Sequence, residues 1–432
     1  MRKGFAILCG LGILMLAASP LYAGGIINKQ NQSADYMRTL NRSAATDYPD
    51  IAVYNPAGIM KMENCAYAKL DAMYFSKDYS NDVPGFGKLS SDKASLIPGA
   101  FALFKRDRWA GFFAFTVPAG GGELEYNNGD ARTVALAQGV AFIANQGLAP
   151  AIGAGSLPPT AAYSQIGAMN LDVKQSTVLG FTLGGSFALN DMWSFAAGVR
   201  YSTGTREFDG SATISAITTI PGVNPPLTPS LHLEEDANGW AGILGVNFAW
   251  EDLNAAVTFI SNTKMDYEMN VKRDTLGIAP TLGLADGSTR RIDIPGLLGF
   301  GVSYRFLPQL KVDLNYVLYL EKSASIDTYD GEGNSWDLGL TAEYTFSPKW
   351  KASLGYLYTD IKIDNAQQIN EPEEPKLDAN TFGAGVVFSP TPKWDITFGG
   401  LLAKYKDVTD DLGIKYDKSV WNLSAGVTWK FF

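Results

Sequence analysis

The chain has 432 residues, with 35 lysines and arginines, 44 aspartates and glutamates, one histidine, two cysteines and 45 glycines. With 18 % charged and 12 % aromatic residues it is too aromatic and too weakly charged for a disordered polymer, and its formal net charge of −9 argues against a partner with a phosphate backbone. Two cysteines and one histidine supply neither the four ligands of a structural zinc site nor a disulfide framework, so we expect no metal, no cofactor and no nucleic-acid partner.

Residues 1–23 have the order of a secretory signal peptide. The basic start Met1-Arg2-Lys3 precedes an apolar run over residues 4–18, and a small residue, Ala23, stands at the expected cleavage point. The alternative is an N-terminal membrane anchor, for which the apolar run is short. Beyond Ala23 no stretch of about 18 uninterrupted apolar residues occurs, which excludes transmembrane helices. The sequence therefore predicts an exported protein.

Residues 24–64 follow this signal and show no strand alternation. They contain Asn55-Pro56-Ala57, whose first two residues are an ordinary turn dipeptide. About forty residues are too many for a simple lead-in to the first strand, which we expect to begin at Cys65. The segment therefore needs a place of its own in the fold.

Several later segments alternate apolar with small or polar residues over about ten positions, the length of a tilted strand that crosses a bilayer. One such segment carries Trp193, Phe195 and Val199 on one face, and Ser194 and Arg200 on the other. A sandwich core would also alternate. The polar faces repeatedly carry glycine, hydroxyl and charged residues, as a wet lumen does, and aromatic residues gather at strand ends like interfacial girdles.

Short and long connections alternate along this part of the chain. Six tight turns are predicted at residues 105–107, 190–191, 251–252, 307–309, 347–349 and 389–393. Seven longer polar loops fall near residues 77–95, 119–170, 219–230, 273–288, 327–334, 364–376 and 406–418. These connections require fourteen strands, and short turns on one side with long loops on the other are typical of a bacterial outer-membrane barrel. We predict an all-β fold, a 14-stranded antiparallel transmembrane β-barrel over residues 65–432.

The third predicted strand runs into Pro118 and three consecutive glycines, Gly120, Gly121 and Gly122. Proline lacks the ladder donor and glycine has no side chain to pack, so a strand should bend or bulge there and stop pairing. Such a bend would leave a hole in the barrel wall. The alternative is an ordinary junction between a strand and a loop.

The longest predicted loop, residues 119–170, contains an apolar portion over residues 131–149. Such a portion can pack as short helices over a groove, and an exposed apolar patch on a secreted surface usually marks a binding site. The alternative is a loop that only covers the barrel mouth. The side chains predicted to bind a hydrophobic ligand are Val134, Leu136, Val140, Phe142, Ile143 and Leu148.

Charged side chains also fall on faces predicted to line the lumen, among them Lys311, Asp313 and Glu343. A lone arginine among apolar groups could hold a carboxylate, and Arg200 or Arg206 is best placed for that contact. The alternative is a mixed-charge network that lines water and ties an internal segment to the wall.

The chain closes with an aromatic strand in which Trp421, Val427, Trp429 and Phe431 share one face. Fourteen strands enclose a lumen wider than the roughly eight-stranded barrel that side chains can fill, so a segment must plug it. The N-terminal residues 24–64 are the available plug.

Together these features resemble the FadL family, the long-chain fatty acid and hydrocarbon transporters of the outer membrane. The resemblance rests on Asn55-Pro56-Ala57 between an export signal and a barrel, on the fourteen-strand count and on the aromatic final strand. It implies that residues 24–64 form an N-terminal hatch inside the barrel and that extracellular loops capture hydrophobic molecules. It also implies an inward kink in the third strand, at Pro118 and the three glycines, through which the molecule leaves sideways.

We therefore predict an outer-membrane channel for passive uptake of hydrophobic molecules, either long-chain fatty acids or aromatic and aliphatic hydrocarbons, in a Gram-negative cell. Its expected partners are that hydrophobic ligand and the lipids and lipopolysaccharide of the membrane, with the protein a monomer and not an enzyme. Two alternatives stay open. A general diffusion porin would lack a hatch, and an adhesin or structural barrel would lack a lumenal pocket.

Overall fold

Strands dominate the computed structural model, which describes residues 33–431 except 121, 176–177, 278, 326–332 and 363–371. The predicted signal peptide and Gly121 of the predicted opening lie outside the described residues. The strand segments are β1 Cys65–Val83, β2 Gly87–Ser91, β3 Ala94–Arg106, β4 Trp109–Ala119, β5 Gly122–Tyr126, β6 Tyr163–Gln175, β7 Val178–Ala188, β8 Trp193–Ala216, β9 Ser230–Trp250, β10 Leu253–Ile260, β11 Asp266–Asp274, β12 Thr289–Arg291, β13 Leu297–Leu307, β14 Leu310–Tyr319, β15 Trp336–Ser347, β16 Trp350–Asp360, β17 Ala379–Thr391, β18 Trp394–Tyr405, β19 Val408–Thr409 and β20 Lys415–Lys430. The α-helices are α1 Ala34–Arg38, α2 Ile51–Tyr54 and α3 Ala131–Gly153, and short 3₁₀ helices span Pro56–Lys61, Pro159–Ala161, Ala279–Leu282 and Glu321–Ser323.

Within the described ranges, the segments form one closed antiparallel barrel of fourteen strands, which confirms the predicted fold class. Six barrel strands consist of two segments each, namely β2–β3, β4–β5, β6–β7, β10–β11, β12–β13 and β18–β19. The first and last strands close the wall, from the pair Tyr67↔Lys430 to the pair Asp82↔Lys415. The six predicted tight turns all join neighbouring antiparallel strands at one end of the barrel.

The outer face of the barrel is apolar, as a wall in contact with lipid requires. Large exposed side chains on this face include Leu70, Leu96, Leu183, Leu244, Leu314 and Leu354. Near the short turns, a girdle of exposed tryptophans is formed by Trp109, Trp193, Trp250, Trp350, Trp394 and Trp429. Farther along the strands, Tyr74 packs on Trp421 and Tyr201 on Trp240, with ring centroids 5.3 and 5.0 Å apart. Two aromatic levels are typical of a barrel that spans a bilayer.

Several strands are longer than the alternation predicted. The strand β8 has 24 residues and β9 has 21, and they stay paired as far as Ser211↔Ser230. The predicted loop 119–170 also differs from the structure, because it contains β5 and the first part of β6. Outside the membrane both faces of a hairpin meet water or other loops, so polar strand extensions lack the apolar alternation that marks the spanning part.

A hatch formed by the N-terminal residues, described from residue 33, lies inside the barrel, as predicted. Its helices α1 and α2 are buried, and the lumenal wall is glycine-rich where they pack. An added Cβ at Gly383 would lie 2.5 Å from the Met37 carbonyl oxygen, and one at Gly399 would lie 2.6 Å from that of Ala34. Glycine therefore lets the hatch backbone approach the wall closely.

The helix α3 lies at the end of the barrel opposite the short turns, where it packs on β6 and β8. Short turns face the periplasm in barrels of this type, so α3 marks the extracellular mouth. Among the described residues, no helix is both long and apolar enough to cross a membrane.

Candidate functional site

The Asn55-Pro56-Ala57 tripeptide lies where the hatch meets the wall. The Asn55 side-chain oxygen accepts a hydrogen bond from the Gly58 amide at 3.2 Å, which caps the following 3₁₀ helix. Its Nδ2 donates to the Ala45 carbonyl at 2.9 Å and to Oδ1 of Asn247, on β9, at 2.8 Å. One buried amide therefore joins two parts of the hatch to the barrel.

The next two residues of the tripeptide contact the wall through their carbonyl oxygens. The Ser186 hydroxyl donates to the Pro56 carbonyl at 2.7 Å, and the Ser194 hydroxyl donates to the Ala57 carbonyl at 2.8 Å. Both serines lie on inward faces of strands, β7 and β8. Moving this part of the hatch would break these bonds.

A network of charged groups holds the rest of the hatch. Arg38 of α1 pairs with Asp35 and, across the lumen, with Glu343 of β15. Lys311 lies 3.7 Å from the same Glu343 carboxylate and 3.5 Å from Asp313. These lumenal charges therefore form a mixed-charge network, which was the alternative to a carboxylate-binding site in the sequence analysis. Other pairs in it are Lys69–Asp35, Lys69–Asp71, Arg42–Asp50 and Arg42–Asp47.

The strand β4 bends into the lumen at its extracellular end. Its residues alternate between buried and exposed up to residue 115, after which residues 116–119 are all buried. Pairing with β3 ends at Ala100↔Phe115. Beyond the bend, Gly120 and Gly122 have φ of +81° and +87°, a conformation that favours glycine. Of the predicted residues, the described Pro118, Gly120 and Gly122 therefore lie at or next to this bend.

The kink leaves part of the neighbouring strand unpaired on one side. Residues 94–99 of β3 keep their partners on β1, and no described residue of β4 pairs with them. The chain returns to this neighbour at β5, where the Glu125 amide donates to the Ser91 hydroxyl of β2 at 3.1 Å and a Cβ added at Gly122 would lie 2.7 Å from that of Ser95 on β3. Between the last β3–β4 pair, Ala100↔Phe115, and these contacts of β5, the described wall has an interruption in its hydrogen-bond ladder.

The first turn of α3 is fixed against the barrel. Its N-cap Asp130 accepts a hydrogen bond from the Thr133 amide at 2.8 Å, and Asn81 of β1 accepts one from the Ala131 amide at 3.1 Å. Side-chain oxygens that satisfy the free amides of a helix N-terminus stabilise and orient the helix. The helix is therefore placed rigidly over the mouth.

A small cavity of about 30 Å³, here called the helix cavity, lies between α3 and the strands β8 and β9. Two of the predicted ligand-binding residues, Leu136 and Val140, line it together with Phe208 and Leu231. Its lining is mainly apolar. The other four predicted residues do not line it: Val134, Phe142, Ile143 and Leu148.

A second small cavity of about 40 Å³, here called the arginine cavity, adjoins the first because Phe208 and Leu231 line both. It is reached by the predicted Arg206 and by two arginines that the sequence analysis did not single out, Arg132 and Arg290. A signal for Arg132 was present, since it is the only charged residue in the apolar portion 131–149. The two cavities therefore lie side by side, the first with a mainly apolar lining and the second lined by three arginines together with Glu207 and Glu235.

The predicted Arg206 has hydrogen-bond donors that no described group accepts from. Its Nη1 lies 3.2 Å from a Glu235 carboxylate oxygen, and Arg290 lies 2.9 Å from the other oxygen of the same carboxylate. In the described part of the chain, Nε and Nη2 of Arg206 have no hydrogen-bond partner. Its remaining donors suit an oxygen of a ligand, since a guanidinium carries five.

The predicted Arg200 lies deeper, beside the kink. It is 3 % exposed, and its Nη2 donates to the Thr263 hydroxyl at 3.3 Å. Within the described ranges no carboxylate pairs with it, and its Nε has no partner. A Cβ added at Gly180 would lie 3.3 Å from Arg200 Cδ and 2.9 Å from the Pro118 ring. The structure thus brings two predicted sites, the cation and the kink, to one place.

The comparisons with known proteins point the same way. A family described as "Outer membrane protein transport protein (OMPP1/FadL/TodX)" matches residues 13–431. A FadL homologue from Pseudomonas aeruginosa is 17 % identical, with a TM-score of 0.68 over 95 % of this chain and 100 % of that one.

Two further solved structures show the same barrel. The toluene transporter TbuX of Ralstonia pickettii is 14 % identical, with a TM-score of 0.57 over 89 % of this chain and 94 % of that one. The toluene transporter TodX of Pseudomonas putida is 14 % identical, with a TM-score of 0.57 over 96 % of this chain and 100 % of that one. No curated protein sequence matches the chain.

Proposed function

This chain belongs to the outer membrane transport proteins of the OMPP1/FadL/TodX family, and on that premise we propose that it takes up hydrophobic molecules by loop capture, hatch rearrangement and lateral release. As a member of this family it is a β-barrel of the outer membrane. The observation that carries the proposal is the pair of adjoining cavities beneath α3, one apolar and one cationic.

Capture takes place in the helix cavity. Leu136 and Val140 of α3 face Phe208 and Leu231 there, and burial of an alkyl chain or an aromatic ring against them removes apolar surface from water. A ligand bound here enters the protein without crossing the water-filled lumen.

The cationic groups favour a ligand with a carboxylate, such as a long-chain fatty acid. Arg206 offers unused donors in the arginine cavity, and Arg200 offers one beside the kink. Charge-assisted hydrogen bonds are the stronger kind, so either site can orient an acid. The second candidate cargo is a neutral hydrocarbon, since TbuX and TodX are described as toluene transporters.

Release is lateral, at the kink of β4. The ladder is interrupted between β3 and residues 116–119, and Leu96 on this part of β3 belongs to the exposed apolar face of the wall. The hatch, anchored through Asn55, blocks the direct route to the periplasm. A hatch in the lumen favours this gated route over general diffusion.

The proposal is tested by measuring uptake in cells that lack their own outer-membrane transporters for hydrophobic molecules. Cells that express the protein should accumulate a radiolabelled long-chain fatty acid or toluene faster than cells with an empty vector. Uptake of a small hydrophilic sugar, measured in the same cells, should not change. Rapid sugar uptake without any gain for the hydrophobic molecules would contradict the proposal and favour a porin.

A further inference from the structure

A second segment of the chain enters the barrel, from the side opposite the hatch. Residues 372–377, here called the upper plug, belong to the connection between β16 and β17, which opens at the extracellular mouth. All six residues are buried, including the charged Glu373, Glu374 and Lys376. Charged residues of an extracellular loop normally face water, so their burial requires specific partners.

The backbone of the upper plug is bound to the inner face of the wall. Asn81 of β1 donates to the Pro372 carbonyl at 2.6 Å, and the Tyr126 hydroxyl of β5 donates to the Glu373 carbonyl at 2.8 Å. Asn81 also accepts from the first amide of α3. One asparagine thus joins the upper plug to the helix that covers the ligand cavities.

The charged side chains of the upper plug have matching partners. Glu373 lies 2.9 Å from Arg132, which lines the arginine cavity, and Glu374 lies 3.8 Å from Lys418 on the inner face of β20. Breaking a buried pair by removing one partner is costly, because it leaves an uncompensated charge. The pair Arg132–Glu373 therefore links the upper plug directly to the cavity.

We infer that the upper plug is a gate between the arginine cavity and the lumen, held closed by the Arg132–Glu373 pair, and that it leaves the mouth when cargo enters. Only the identity of the cargo in this inference rests on the proposed function. The closed position itself follows from the contacts of the segment. The hatch and the upper plug then close the same lumen from its two ends.

Cysteine labelling measures the position of this gate without any cargo. Leu377→Cys, placed in a Cys65→Ala background, is labelled in intact outer membranes with a membrane-impermeant maleimide. Leu377 is buried and Ser156, just after α3, is exposed, so Ser156→Cys is the matched control. We expect Leu377→Cys to react at least about tenfold more slowly than Ser156→Cys, because it reacts only during local opening.

Loss of the ion pair should open the gate. Glu373→Gln, and separately Arg132→Gln, should raise labelling of Leu377→Cys severalfold and leave that of Ser156→Cys unchanged. Heat-modifiable gel mobility verifies the fold of each variant. If Leu377→Cys does not fold, Lys376→Cys, also buried, replaces it.

Two results would overturn the inference: equal labelling of Leu377→Cys and Ser156→Cys in the otherwise unmodified protein, or no change on removal of either charged partner. Slow labelling that both substitutions accelerate supports the gate. If the gate behaves in this way but cells take up no hydrophobic molecule, the proposed function fails and the gate stands.

Discussion

Pro118 and Arg200 meet across Gly180 on the inner face of the barrel wall. A Cβ at Gly180 would lie 2.9 Å from the proline ring and 3.3 Å from the arginine side chain. The residue that interrupts the ladder of β4 thus lies next to a buried guanidinium that no described carboxylate neutralises. The proposed site of ligand release therefore lies next to the positive charge that would favour a ligand with a carboxylate.

Arg200→Gln should separate acidic from neutral cargo. Loss of a charge-assisted hydrogen bond should lower fatty acid uptake by about tenfold, whereas toluene uptake should stay the same. Arg200→Lys, which keeps the charge, should retain part of the fatty acid uptake. If Arg200→Gln lowers fatty acid uptake and toluene uptake equally, Arg200 has a structural role at the kink.

Leu136→Asp and Val140→Asp should weaken binding of a hydrophobic ligand to the detergent-solubilised protein. Each puts a carboxylate into the apolar helix cavity, and burial of an unpaired charge is unfavourable. Ligand-induced quenching of tryptophan fluorescence gives the dissociation constant, which should rise by about tenfold or more. Ile143→Asp is the control, because Ile143 lies on the same helix, is 50 % exposed and does not line the cavity.

Asn55→Ala should loosen the hatch without unfolding the barrel. It removes the side-chain hydrogen bonds to the Gly58 amide, the Ala45 carbonyl and Asn247 Oδ1, and loss of a partner costs about 1–3 kcal/mol for a buried group. Hydrogen exchange of hatch amides should become faster and uptake should fall, while heat-modifiable gel mobility stays normal. Glu63→Ala, at the exposed end of the hatch, keeps the backbone carbonyl that accepts from the Tyr67 hydroxyl and should change neither measurement. Loss of barrel folding in the Asn55 variant would make the motif structural only.

Much of this architecture could be predicted because its signals are local. The alternation around Trp193 and Arg200 gives the two faces of a strand, and the tight turns give the strand count. The inward direction of the β4 kink was implied only by the family resemblance, and the pairing of Arg132 with Glu373 could not be predicted, since it depends on contacts between distant parts of the chain. The close approach of Gly383 to Met37 is of the same kind, although the excess of glycine was visible in the composition.

The wall itself provides the last prediction. Gly120 lies at the inward kink with a positive φ, and a large side chain there would fill the interruption between β3 and β4. Gly120→Phe, or removal of residues 119–122 so that the strand runs straight, should abolish uptake while the solubilised protein still binds ligand beneath α3. Gly111→Phe is the matched control, because it lies on the same strand and an added Cβ meets nothing within 4 Å. Uptake at the unmodified rate in both altered proteins would exclude lateral release and leave passage through the hatch.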